Sequence, residues 1–456
     1  MTRWVLLGVL VLAGCGQVQL ASVQLPPEGA AETLFRDVRV FDGTAFEDHR
    51  DVWVRHGAVH AVGATGSFAA PATAEVVEGR GRTLLPGLID CHVHLMSAGE
   101  KGGFPPSAES ISGALLFAGI TTVLVTAGGT EVTDLVNGQR EGKALAPRLF
   151  TAGMSLSAPG GHPAPLLETM LPWPMSWLMV RQLAVASTGP EARARVRETA
   201  GQGGHTFYKI IYDDLPPGSP HLSADALLAA VDEAKRQGLR PIVHANLASD
   251  TIAAVDVGAS LLVHVPQREL LSEAQAAHIV AAGIPVVSTV SMLTTTHDLA
   301  GREPTALERA VVDPEQLRRW RESPDWELPG FSDEIDRRRD EVAEIARTNF
   351  RRLREAGARI LVGTDSGVHG VFPGVGLHNE MRLLRSLGMP ELDILRAVTR
   401  EAADFLDPEA DFGRIKAGAR ADLLLVDGDP LSDIGALAEI EAVYVAGRRL
   451  ERIGLR

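Results

Sequence analysis

Leu85-Pro86-Gly87-Leu88-Ile89-Asp90-Cys91-His92-Val93-His94 is an apolar run that ends in two histidines one residue apart. Alternate residues of a β-strand share a face, so both imidazoles can leave the strand end on one side and hold one cation. Taken alone the pair says little, because two histidines on a strand are as often polar surface. Its meaning depends on what the rest of the chain brings to the same place.

Strand-like and helical runs alternate downstream. Short apolar strands are predicted at Leu88 to His94, Thr121 to Thr126, Arg148 to Ala152 and Thr206 to Tyr212, then at Pro241 to His244, Leu261 to His264, Pro285 to Val290 and Arg359 to Gly363. Eight strands with helical connections predict an α/β fold, a (β/α)8 TIM-type barrel over residues 87–408. One connecting helix is fully punctuated: Ser223 caps it, Ala226 to Lys235 are amphipathic, and Gly238 stops it before Pro241. Residues 32–86 and 409–456 read as short strands and turns, with a hairpin signal at Gly57 between Asp51–Arg55 and Ala58–Val62. Neither end has enough strands for a stable sheet, so the two together are expected to build one small β-sandwich. Two connections, 160–187 and 292–339, exceed what a barrel needs; they read as a lid over the site or as helices on the barrel wall, and contact with a lipid surface is a third reading for the first.

Ligand-type side chains recur at the ends of these strands. Lys209 lies within Phe207-Tyr208-Lys209-Ile210-Ile211, where a charged ammonium is costly to bury. Burial favours the free amine, which can capture carbon dioxide as a carbamate; pairing with a barrel carboxylate is the alternative. His244 and His264 each end an apolar run, and singly each reads as a core histidine. Asp365 follows Ile360-Leu361-Val362-Gly363-Thr364, where a carboxylate can ligate a metal and accept a proton from its bound water. As a set, His92, His94, Lys209, His244, His264 and Asp365 fall where a barrel gathers its catalytic groups.

Composition narrows the class. The chain has 456 residues, 45% hydrophobic and 22% charged, with a net charge of −14. Without a Lys/Arg-rich stripe, that acidity disfavours nucleic acid as a partner. Residues 1–15 read as a leader: Arg3 precedes the apolar run Trp4–Leu12, too short to span a bilayer, and Leu12-Ala13-Gly14-Cys15 resembles a bacterial lipobox with Cys15 acylated. Gly16 in place of Asp after that cysteine resembles outer-membrane lipoproteins, which implies a lipid anchor facing the periplasm. Residues 16–31 would be a flexible tether. Cys91 is the one other cysteine, so no disulfide is expected.

The motifs together resemble the amidohydrolase superfamily, in particular its imidazolonepropionase-like and Xaa-Pro-dipeptidase-like members. The resemblance rests on residues 85–94, on Gly363-Thr364-Asp365-Ser366-Gly367, on Leu377-His378-Asn379-Glu380-Met381, and on Gly413-Arg414-Ile415 through Gly418-Ala419-Arg420-Ala421-Asp422-Leu423. It implies a first metal on His92, His94 and Asp365 and a second on His244 and His264, with carboxylated Lys209 as the bridge. Two divalent ions, by default zinc, would share a hydroxide, and Asp365 would carry its proton to the leaving nitrogen. Gly160-Gly161-His162 resembles a substrate loop, making His162 a candidate binder; His378 is another, with a structural role as the alternative. The expected reaction is hydrolysis of a C–N bond in a dipeptide, N-acyl amino acid or cyclic amide. Lactonase or phosphotriesterase-like hydrolysis at the same centre, or a non-catalytic lipid-anchored binding protein, are the alternatives. Val263, Val265 and Asn246 depart from the family pattern around the strand-five and strand-six ligands. Leu247 stands where deaminases of the superfamily carry a glutamate.

Overall fold

The structure is a computed structural model that describes residues 18–26, 32–95, 106–170, 173–322, 338–368 and 370–455. All eight predicted barrel strands are present, at Leu88–His94, Ile120–Ala127, Arg148–Thr151, Phe207–Ile211, Arg240–His244, Leu261–Val263, Val286–Ser288 and Ile360–Val362. The first three pair in parallel, and so do the last five. Two seams close the ring. The Thr206 amide donates to the Thr151 carbonyl at 3.1 Å, and the Asp365 amide donates to the His92 carbonyl at 2.9 Å. The fold is therefore TIM-barrel-like.

Alternation along the strands sorts the side chains. Ile89, Leu124, Phe207, Ile242, Leu261, Val287 and Leu361 form one buried cluster inside the barrel, together with Phe405, Leu406 and Phe412, which close its lower end. Leu88, Val123, Tyr208, Val243, Leu262 and Val286 belong to a second cluster between strands and outer helices. Period-2 apolar sequence buried on both faces produces both layers at once.

Residues from both chain ends share one eight-stranded sheet. Arg82–Pro86 pairs antiparallel with Leu423–Asp427, placing Leu85 opposite Leu424 and Leu84 opposite Leu425. Leu84, Leu423 and Leu425 face the sheet's own cluster with Phe35, Val52 and Tyr444. Leu85 and Leu424 face the barrel layer. Gly87 joins the sheet to the first barrel strand, and a Cβ there would stand 2.1 Å from Thr121 Oγ1. The crossing is therefore open only to glycine.

Two expectations change at the N-terminal end and in the insertions. The tether expected over residues 16–31 is not one where it is described. Val18, Leu20 and Ala21 are buried, Ser22–Gln24 pairs antiparallel with Glu451–Ile453, and the Ala21 amide donates to the Val311 carbonyl. The apolar pattern of these residues finds partners in the helix Ala306–Val311 and at the C-terminus, which sequence order does not bring near. The leader and Cys15 lie outside the described residues. In the insertion 292–339, Trp320 is buried in the main core, so residues 306–322 are wall; 323–337, including Trp326, lie outside the described residues. In the other insertion Trp173 and Trp177 are exposed, with the Arg181 guanidinium 4.9 Å above the Trp177 ring.

Candidate metal centre

The first strand carries an irregularity that the sequence pattern hides. Ile89 and Cys91 point into the barrel while Leu88 and Val93 point outward. Strict alternation would then turn His92 and His94 outward. The pairing with the second strand shifts between Asp90 and Val93, and such a bulge re-aims the side chains beyond it. Both imidazoles consequently meet inside, with their Nε2 atoms 3.3 Å apart.

Asp365 arrives from the eighth strand. Its Oδ1 lies 3.1 Å from His92 Nε2 and 2.8 Å from His94 Nε2. Asp365 and His264 both adopt left-handed backbone, with φ of 61° and 75°. Such conformations are costly for non-glycine residues and persist where the surroundings fix them. For His264 the consequence is geometric. Leu261 and Val263 face inward, so an extended His264 would face out. Instead its ring packs 4.8 Å from that of His92 and 4.6 Å from that of His244, centroid to centroid. Thr289 Oγ1 binds its Nδ1 at 2.7 Å, and its Nε2 stands 3.8 Å from Asp365 Oδ2.

Lys209 shares the inward face of its strand with Phe207 and is 3% exposed. Burial lowers its pKa to about 8, against the opposing pull of Asp365 and Asp213. Burial, reinforced by the Lys209 charge, lowers His92 to about 3. Burial likewise lowers His244 and His264. The imidazoles are thus neutral, the form that binds metal. Burial alone would raise Asp365, but His92 and His94 outweigh it and hold the group well below the usual carboxylate range.

This donor set fits a cation. Asp365 Oδ1 is buried and receives no hydrogen bond. His92, His94 and Asp365 therefore set three lone-pair atoms within 4.8 Å of one another. A positive ion among them relieves that crowding; a hydrogen-bonded core would not leave it.

A second group of three forms beside the first from His162, Asp213 and His244. Asp213 was not among the residues singled out in the sequence. Its signal is spacing: 207, 209, 211 and 213 alternate on one inward face, so the carboxylate two residues past the strand looks the same way as Lys209. Asn246, two residues past His244, donates to Asp213 Oδ2 at 2.6 Å. His162 reaches the same carboxylate at 3.1 Å. His378 is not brought here. Its Nε2 donates to the Ala118 carbonyl at 3.0 Å, just before the second barrel strand begins and so at the opposite end of the barrel. The structure thus gathers His92, His94, Lys209, His162, His244, His264 and Asp365 at one mouth, adds Asp213, and keeps His378 out.

A family model for the amidohydrolase family matches residues 83–450. Ochratoxinase of Aspergillus niger is 24% identical over 400 residues, 79% of this chain and 73% of its own. Imidazolonepropionase of Geobacillus sp. (strain WCH70) is 24% identical over 403 residues, covering 83% and 84% of the two chains. Among solved structures, a prolidase complexed with N-methylphosphonate-L-proline aligns with a TM-score of 0.74 and 26% identity, covering 92% of this chain and 100% of that one.

Proposed function

The chain belongs to the amidohydrolase family and acts on C–N bonds, and from that premise we propose that it hydrolyses an amide in a small substrate at a binuclear metal centre. The observation that carries the reading is the convergence of His92, His94 and Asp365 on one point inside the barrel mouth, with Lys209, His244 and His264 around it. His92, His94 and Asp365 would hold one ion. His244 and His264 would hold the other, and Lys209, as a carbamate, would join them. Zinc suits imidazole and carboxylate donors. When bound, the ions supply a water acidic enough to be hydroxide near neutral pH and polarise the scissile carbonyl. Asp365, held as a carboxylate, accepts the proton of the attacking water and returns it to the departing nitrogen. Buried neutral imidazoles keep the donors available, and the barrel wall excludes bulk water from the charged groups.

The substrate class we favour is a dipeptide, N-acyl amino acid or cyclic amide. Relatives named ochratoxinase, imidazolonepropionase and prolidase support it. Zinc-loaded protein assayed against dipeptides, N-acyl amino acids, lactones and phosphotriesters tests the reading; turnover confined to the last two classes overturns it. Elemental analysis should return close to two ions per chain. The carbamate has its own test, because a Lys209→Ala variant should lose the second ion and recover it in part with added acetate or formate; full activity with both ions retained sinks the bridge.

The shared sheet, enclosing the cluster around Phe35, Val52 and Tyr444, supports a small sandwich domain of residues 32–86 and 409–456 beside a barrel of 87–408. The lipobox-like Leu12–Cys15 supports an acylated, outer-membrane protein facing the periplasm. Mass spectrometry of the mature N-terminus tests it, and an unmodified chain removes it.

A further inference from the structure

His162, Asp213 and His244 invite reading as a cation site of their own, but a fourth residue argues otherwise. Gln267 Nε2 donates to Asn246 Oδ1 at 2.8 Å. That bond turns the Asn246 amide so that an Nδ2 proton faces Asp213 Oδ2 at 2.6 Å, with His244 Nε2 alongside as a second donor to the same oxygen. An NH2 group aimed into the triangle repels a cation there. With no ion in the triangle, the carboxylate must be satisfied by protons, and three donors surround it: His244 Nε2 at 2.7 Å, His162 Nδ1 at 3.1 Å and Asn246 Nδ2. Asp213 is 2% exposed, so it is these side chains and not bulk solvent that face its carboxylate.

Each imidazole then has one nitrogen committed. A neutral ring that donates through one nitrogen presents a lone pair on the other. His244, donating through Nε2, is left with Nδ1 as its metal-binding atom. His162, donating through Nδ1, is left with Nε2, and its side chain is partly open. One carboxylate therefore sets the tautomer and orientation of both rings. The backbone adds to this, because the Gln267 and Arg268 amides both donate to the Asn246 carbonyl at 3.0 Å. The loop after the sixth strand is thereby tied to the loop after the fifth.

We propose that Asp213 is a positioning residue that acts through two histidines, holding His244 as an Nδ1 metal ligand and His162 as an Nε2 acceptor facing the substrate space, with Asn246 and Gln267 fixing the carboxylate. This rests on the binuclear reading above. Outer carboxylates that orient ligand imidazoles typically matter ~10–100-fold in metal affinity. The test is competitive titration of the full-length protein with Zn2+ against a chelator, alongside ion counting and thermal melting. Wild type should bind two ions. Asp213→Asn should keep the first and bind the second ~10–100-fold more weakly, with kcat falling more than KM rises. His162→Ala should keep both ions at wild-type affinity, since that ring is not a ligand. If Asp213→Asn does not fold, Asn246→Ala reads the same network and should weaken the second ion several-fold. Undiminished affinity in Asp213→Asn, or in Asn246→Ala where that variant stands in, overturns the proposal. Loss of a whole ion in His162→Ala also overturns it, by making the triangle itself a cation site. A wild-type chain that binds no zinc fails the binuclear reading instead, so the two failures are distinguishable.

Discussion

Five of the six candidate ligands at the barrel mouth were legible because they sit at or just past the end of an apolar strand, and Lys209 because it puts a charge in the middle of one; the reading came from the set and not from any single residue. Asp365 touches both His92 and His94, and in the proposed reaction it is the group that takes the proton of the attacking water. Replacing it with asparagine keeps its shape and removes the base. We expect Asp365→Asn to lower kcat by ~10²–10⁴-fold, the usual worth of a positioned general base, with folding intact by circular dichroism. Steady-state kinetics on the amide found in the screen would decide it, and an unchanged kcat would remove Asp365 from the proton path. Asp213 was missed because it lies beyond the apolar run of its strand, where a sequence reading sees only the acidic pair Asp213-Asp214 at the start of a loop.

At the scale of the element, the first strand and the helix Val375–Ser386 went different ways. Its bulge, which turns His92 and His94 inward, leaves no mark in the residue pattern, because it depends on how the neighbouring strand pairs. The helix carries His378 beside Glu380, which looked like a site motif. In the structure Glu380 accepts from the Val290 and Ser291 amides, fixing the loop after the seventh strand, and His378 caps the Ala118 carbonyl. Burial lowers the His378 pKa to about 4. The unfolded chain takes up a proton near pH 6.5, whereas the folded chain does so only near 4. Stability from this neutral ring is therefore complete above the unfolded value and is lost as pH falls through that window. At 1.36 kcal/mol per pKa unit the loss is about 3 kcal/mol at most. A His378→Gln variant keeps a donor for Ala118 but cannot titrate. Chemical denaturation at pH 7 and pH 4.5 should show the wild type losing ~1–3 kcal/mol more than the variant between the two; equal losses would contradict the assignment.

Across the whole molecule, the two chain ends are held to the barrel through Leu85 and Leu424, which leave the shared sheet on its barrel side. Leu424 is fully buried, and its methyl groups fill the space that a Cβ on Gly119, just before the second barrel strand, would need. Leu424→Ala should cost ~2–5 kcal/mol, as large-to-small changes at fully packed sites do. Because the contact joins both parts, the metal-loaded protein should still melt in a single transition at lower temperature. Two separated transitions, or an unchanged midpoint, would show the sheet and barrel to be uncoupled.

The sequence by itself determined the barrel, the strands that compose it and the strand ends near which the candidate ligands sit, because apolar period and turn residues are local properties that survive without a partner. It also determined that both ends are strand-forming. Only the tertiary structure decided which way His92, His94 and His264 face, since a pairing shift and a left-handed residue each override simple alternation. The same holds for Asp213 in the site, His378 out of it, and residues 18–26 docked on the body: each depends on a partner remote in sequence, supplied only when the ring closes.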